Sequence, residues 1–499
     1  MKLQRLARLL IRTKPLHGGA DGEDGLRRSL GFFSLTMLGV GATIGTGIFF
    51  TLAETVPKAG PAAILSFLIA ALTAGLTALC YTELSFRIPA AGSSYSYAYA
   101  TFGEFLAYLV AACLLFEYGL AASATSIGWS AYLNNFLRNA FDWQIPEMLR
   151  SNMISSGEHG VEIYPGRINL PPIILVAMCG VLLVRGAKDS ATANSVMVLI
   201  KLAILVFFAA VAFTGFSVEN LTPFFNADDS KGYAGMAGVT AAAGTVFFSF
   251  IGLDTVATAG AEVKNPTRNV PLGILAALLI VTACYLLVAV AAVGAQPARQ
   301  FEGQEAGLSV ILQNVTGKAW PALILSAGAV ISVFSVTLVT IYGQTRILYA
   351  ISRDGLIPKA FHIVHARTLA PVNSTIIVCM LVGLVAGFVD AAFLWDMVSM
   401  GTLVAFAVVS AAVPVLRRKG IGADRIGFRV PFGPYLIPGL SILSCAYIVK
   451  DLSANTHTVF LICMGIAVIS YFSYGIHNSR LNQGAAQPRT MHSPTRSGG

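Results

Sequence analysis

Twelve apolar stretches divide this chain, at roughly 31–55, 60–86, 102–134, 170–186, 190–216, 235–262, 271–296, 319–350, 371–389, 393–416, 431–449 and 456–476. Most reach the ~20 residues that a helix needs to cross a hydrocarbon core. Inside lipid the backbone has no water to bond, so each stretch must close its hydrogen bonds within itself as a helix. That constraint makes an interruption informative. The first stretch carries Gly39, Gly41, Gly45 and Gly47, and each glycine weakens a helix by roughly 1 kcal/mol against Ala. Unpaired backbone at membrane depth is tolerated only where it lines a protein-walled cavity. The cluster therefore predicts a discontinuous helix with a binding site at its break. Its other reading is close helix packing, because Gly41 and Gly45 have GxxxG spacing.

Composition supports the membrane setting. Hydrophobic residues make up 56% of the chain and charged residues 11%, against about 25% charged in soluble domains. With the N-terminus inside, 24 of the 33 Lys and Arg fall on the cytoplasmic side and 8 outside, and Lys201 alone lies within a span. The positive-inside rule favours this orientation, with both termini cytoplasmic in a plasma (inner) membrane. The net charge of +9 thus reads as topology and attraction to membrane lipids, not as nucleic-acid binding. Arg27 and Arg28 read as inside anchors and not as part of a cleaved export signal. The seven cysteines show no CxxC spacing and the seven histidines no ligand pattern, so neither a metal nor a cofactor is expected. No GxSxG, HExxH or Walker motif is present, and the loops are too short for a catalytic domain, so the chain does not read as an enzyme.

A second break lies in the sixth stretch, where Gly252, Asp254, Thr255 and Thr258 interrupt apolar order. The first and sixth stretches are corresponding members of two five-helix halves. Paired interrupted segments point to an inverted-repeat architecture, since an odd number of spans per half inverts the second. The chain then divides into a cytoplasmic segment 1–30, repeats at 31–216 and 235–416, two further spans over 430–476 and a disordered tail 477–499.

Three motifs carry a family resemblance: Gly41–Phe49 (GATIGTGIF), Ala261–Pro271 (AEVKNPTRNVP) and Gly343–Pro358 (GQTRILYAISRDGLIP). The chain resembles the amino acid permeases of the amino acid, polyamine and organocation (APC) superfamily. Glu117-Tyr118, Gly128-Trp129-Ser130 and Arg429-Val430-Pro431 are similar to its cationic amino acid transporter branch. The resemblance implies an all-α integral membrane protein of 12 transmembrane helices. It also implies a 5+5 inverted-repeat (LeuT-like) fold, with helices 1 and 6 discontinuous and helices 11 and 12 outside. The implied mechanism is alternating access and the implied ligand a small L-amino acid.

An amino acid needs donors for its carboxylate and acceptors for its ammonium. The restart of the first helix, Thr43, Ile44, Gly45, Thr46 and Gly47, offers amides and the positive end of a helix dipole. Carbonyls of Phe247, Ser249, Phe250 and Ile251, freed by unwinding at Gly252, offer acceptors. Phe247 or Phe250 caps the site or packs in the core. Lys201 is a costly mid-span ammonium; in proton-coupled relatives a fifth-helix lysine stands where others hold sodium, and Lys201 matches that position. It reads as a coupling group or as a fixed structural cation. Glu117 and Asp254 join it as proton-pathway residues, or else sit in satisfied ion pairs and caps. Glu262, Arg346, Arg353 and Asp354 read as topology anchors, with an inner gate as the alternative. The expected function is import of L-amino acids by proton symport. Exchange, a channel and a nutrient sensor are the other readings, and no obligate protein partner is evident.

Overall fold

The structure is a computed structural model that describes residues 9–13, 29–88, 93–157, 160–185, 187–226, 233–302, 304, 307–365, 370–391, 394–423, 427–450, 452 and 454–484. Arg27, Arg28 and the tail from 485 onward lie outside the described residues. In chain order the main helices are α1 (Phe32–Thr43), α2 (Thr46–Ala59), α3 (Ala63–Arg87), α4 (Ser93–Thr101), α5 (Glu104–Phe141), α6 (Leu170–Arg185), α7 (Ala187–Ala212) and α8 (Met236–Phe247). They continue as α9 (Thr255–Thr258), α10 (Pro266–Ala295), α11 (Gly307–Thr316), α12 (Ala319–Arg353), α13 (Val372–Phe388), α14 (Trp395–Arg418), α15 (Leu436–Val449) and α16 (Ala454–Ser470). Eight stretches are long and apolar enough to cross a membrane, and Leu170–Arg185, Val372–Phe388 and Leu436–Val449 are shorter apolar helices. The first long stretch, Phe32–Arg87, contains two of the expected spans, which turn into each other at Gly60 (φ 65°). The chain is a multi-pass, essentially all-helical membrane protein. Its described residues add one element that the apolar pattern gives no sign of, an antiparallel hairpin pairing Ile154–Gly157 with Gly160–Ile163.

Both expected breaks are present. α1 ends at Thr43, Ile44 and Gly45 run extended (ψ 100° and φ −149°), and α2 begins at Thr46. α8 ends at Phe247, a single 3-10 turn follows, and the chain passes through Gly252 (φ 102°) before α9. Around these breaks α5 packs along α12, α3 and α1 pack on α10, and α7 packs on α12. The broken helices are therefore enclosed by continuous ones. Enclosure keeps their unpaired backbone away from lipid, which is the only place where such backbone survives at membrane depth.

At one end of the bundle, buried carboxylates tie the helices together. Glu83 of α3 accepts a bidentate pair from Arg417 of α14 (2.8 and 2.6 Å), a third bond from the Val430 amide (2.8 Å) and an ion pair from Arg87 (3.2 Å). Glu104 at the start of α5 accepts from Arg12 (3.1 and 2.6 Å), Tyr99 (2.7 Å), Tyr471 (3.0 Å) and Ser479 (2.5 Å). Arg12 also donates to Asn482 (2.5 Å), so the two terminal segments meet at the same end. Residues 480–484, expected within the disordered tail, form a short helix held by these contacts.

Glu262 and Arg346 differ from the expected headgroup-facing anchors. They form a buried ion pair (2.8 Å), with the Tyr342 hydroxyl donating to the same oxygen (2.8 Å) and its ring under the guanidinium at 4.1 Å. Removing one member of such a pair strands a buried charge at a cost of about 3–5 kcal/mol. Glu83→Ala is accordingly expected to lower the melting temperature of the purified protein far more than Arg167→Ala, whose partner Glu147 is 62% exposed. Equal melting temperatures for the two variants would refute the structural role of Glu83.

Candidate functional site

The two breaks are built against each other. A Cβ on Gly252 would lie 2.8–2.9 Å from the backbone and side chain of Ala42, and one on Gly47 would lie 2.6–2.8 Å from Ser249. The positive φ of Gly252 and this contact both exclude larger residues. Gly39, Gly41 and Gly45 are equally crowded, by Val256, Asn194 and Val336. The packing reading of the glycine run therefore holds alongside the break and does not replace it.

Tyr285 of α10 joins the two breaks chemically. Its buried hydroxyl lies 2.8 Å from the Thr43 carbonyl and 2.8 Å from the Ser249 carbonyl, one acceptor on each broken helix. Lys201 of α7, fully buried, supports the first break from behind. Its ammonium donates to the carbonyls of Gly41 (3.1 Å), in the last turn of α1, and of Ile44 (2.6 Å), just past its end; neither has a continuing helix to pair with. Among the described residues Lys201 has no carboxylate partner. Its charge is spent on helix carbonyls.

On the other side of the break lies a cavity lined by Thr43, Gly45 and Gly47 of the first broken helix and by Phe248, Ile251, Gly252 and Thr255 of the second. Glu117, Tyr118, Ala121 and Thr125 of α5 and Val336 and Thr340 of α12 complete it. Its volume for the centre of a water molecule is about 30 Å³, so an amino acid enters only if the walls move apart. α2 starts without a side-chain cap, and its first amides are therefore open donors at the cavity edge. Among the described residues the Phe250 and Ile251 carbonyls accept no hydrogen bond. Of these two residues Ile251 lines the cavity.

The expected residues divide accordingly. Thr43, Gly45, Gly47, Ile251 and Glu117 line the cavity. The side chain of Thr46 lies outside the described residues. Ile44 is turned to Lys201. Ser249 is occupied by the protein at both of its polar groups, its carbonyl by Tyr285 and its hydroxyl by Thr51 (2.9 Å). Phe247 and Phe250 point into the core, edge-on to Phe406 (6.0 Å) and Tyr285 (5.2 Å). Of the three phenylalanines at this break, the one that lines the cavity is Phe248, stacked edge-on against Trp395 at 4.5 Å. Neither it nor Tyr285 is singled out by sequence. Tyr285 did leave a signal, a phenolic hydroxyl within an apolar span, which needs a partner when buried.

Two carboxyl groups are buried here with incomplete bonding. Both oxygens of Glu117 lack a hydrogen-bond partner; the neighbouring Thr402 hydroxyl donates to the Val398 carbonyl instead (3.0 Å). Asp254 accepts from the Tyr118 hydroxyl (2.7 Å) at one oxygen and has no partner at the other. Tyr118 also meets Thr255 (3.0 Å), so the two carboxyl groups are linked through adjacent residues of α5.

Replacing Gly252 by Ala combines backbone strain of about 1–3 kcal/mol with overpacking against Ala42. Loss of monodisperse folded protein, or a melting temperature lowered by several degrees, is the expected result on size-exclusion chromatography and thermal unfolding. A variant as stable as the parent would show that the close approach is dispensable.

Residues 30–487 match the amino acid permease family. The branched-chain amino acid permease BcaP of Bacillus subtilis is 38% identical over 468 residues, covering 94% of this chain and 97% of the relative. The methylthioribose transporter of the same organism is 38% identical over 479 residues, covering 95% and 99%. Cationic amino acid transporter 4, vacuolar, of Arabidopsis thaliana is 37% identical over 401 residues, covering 80% of this chain and 64% of the relative. The chain belongs to the amino acid permease family of the APC superfamily, a family of transporters and not of enzymes.

Proposed function

We propose that this protein imports a neutral L-amino acid by proton symport, with alternating access at the cavity between the two breaks. The observation that carries the reading is the burial of Lys201 against the Gly41 and Ile44 carbonyls, at the same break whose Thr43, Gly45 and Gly47 line the cavity. An ammonium donates up to three hydrogen bonds, and a neutral amine donates fewer and holds carbonyls more weakly. Gain or loss of one proton at Lys201 therefore changes how firmly α1 is held in its broken form. Glu117 and Asp254, buried with unpaired oxygens, are suited to pass that proton on, because a buried carboxyl without a cation is least costly when neutral.

The twelve-span reading fits this scheme, with inverted repeats at 31–216 and 235–416 and helices over 430–476 outside them. So does an orientation with both termini cytoplasmic in the plasma (inner) membrane, which the excess of Lys and Arg at that end supports. The substrate's carboxylate sits at the α2 amides and its ammonium at the Phe250 and Ile251 carbonyls. Ala121, Val336 and Ile251, with Thr125 and Thr340, form walls that favour a small or branched neutral side chain, in keeping with the branched-chain permease among the relatives. A relative named for methylthioribose makes a neutral thioether sugar the second substrate class to test.

Proteoliposomes are expected to accumulate labelled branched-chain amino acid faster when the lumen is alkaline. Uptake that ignores the pH gradient, and counterflow that requires internal amino acid, would establish exchange in place of symport. A thermal-shift screen over the twenty amino acids and methylthioribose identifies the ligand, since 100-fold excess over Kd stabilises by about 2.7 kcal/mol. Lys201→Ala is expected to retain a ligand-induced shift while losing pH-dependent uptake, and unchanged pH dependence in that variant removes Lys201 from the mechanism.

A further inference from the structure

α6 and α13 are shorter apolar helices, and the 17 residues of α13 span only about 26 Å at 1.5 Å per residue, less than the ~30 Å of a hydrocarbon core. They press together where Gly180 meets Cys379, the Sγ lying 2.9 Å from where a Cβ would stand. Beside that seam runs an open groove of about 780 Å³, walled by Val181, Ile376, Met380, Gly383 and Leu384 and closed at one end by Arg185. Apart from Gly383 these wall residues are about half exposed, and in a membrane-spanning chain such exposure is to acyl chains.

Arg185 sets this groove apart from ordinary lipid-facing surface. It is the last described residue of α6 and is exposed, and among the described residues its side chain has neither an ion pair nor a hydrogen bond. The facing first turn of α13 carries no acidic residue. Arg185 is the first charged residue after the apolar run Ile173–Val184, which places its guanidinium where the hydrocarbon gives way to phosphate and glycerol. Basic pockets between membrane helices hold anionic headgroups, and a guanidinium matches phosphate in a bidentate fork.

We propose that this groove is a binding site for one anionic phospholipid, with an acyl chain along the α6–α13 seam and the phosphate on Arg185. The lipid comes from the leaflet at the Arg185 end, which is the cytoplasmic one in the orientation given above. A zwitterionic lipid fills the groove equally well but brings an ammonium that offsets the gain at Arg185.

Native mass spectrometry of the delipidated full-length protein, titrated with phosphatidylglycerol or phosphatidylcholine, tests the site. Phosphatidylglycerol is expected to form the more persistent adduct. One basic residue near the surface is worth about 1 kcal/mol, so Arg185→Gln should weaken this adduct about fivefold and leave the phosphatidylcholine adduct unchanged. Gly383→Leu adds bulk where a Cβ meets only Ile173, at 3.9 Å; it should weaken both adducts while the melting temperature stays that of the parent. The proposal is overturned if the two lipids bind alike, or if neither variant changes phosphatidylglycerol binding. It is also overturned if free glycerol 3-phosphate competes as well as the lipid, or if a co-purifying membrane helix occupies the groove.

Discussion

A helix that stops in the middle of a membrane leaves carbonyl groups that must find donors, and the rest of this structure is arranged around that need. Lys201 meets it from α7, Tyr285 from α10, and the two broken segments fill each other's gaps. Each element would be unfavourable alone. An ammonium in hydrocarbon costs several kcal/mol even by the mildest scales, and an unpaired carbonyl at the same depth costs a comparable amount. Brought together at 2.6 and 3.1 Å, each removes the cost of the other. The break then becomes a stable feature that exposes backbone polarity on its opposite face.

On the side of the cavity the two broken helices are packed closely against each other. The contacts of Gly252 on Ala42 and of Gly47 on Ser249 hold the two breaks so closely that little space is left between them and α5. Tyr285 ties the same two helices together, its one hydroxyl lying 2.8 Å from a carbonyl of each.

The buried acidic residues fall into two groups by how their oxygens are occupied. Glu83, Glu104 and Glu262 are surrounded by arginine, tyrosine, serine or backbone donors. They fix the end of the bundle where the termini lie, and their charge is fully compensated. Glu117 and Asp254, equally buried, keep unpaired oxygens. Burial alone therefore does not separate these two groups; donor count does. A carboxylate with four donors is a joint between helices, and one with none is a group whose protonation the surroundings leave open.

Sequence by itself determined the membrane setting, the two breaks and the family, because each rests on local properties: apolar length, glycine density, and motifs in fixed order. It also marked Lys201, since a lone cation in the run from Val196 to Val206 is conspicuous without any structure. Tertiary structure alone decided which side of each helix faces the cavity. Phe247, Phe248 and Phe250 are equivalent in composition, but the single 3-10 turn after α8 rotates Phe248 to the cavity and the other two into the core. The same holds for Tyr285 and for the pairing of Glu262 with Arg346, whose partners are 36 to 242 residues away in sequence. A hydrogen bond depends on a few tenths of an ångström and on direction. Periodicity along one helix carries no information about the helix that packs against it.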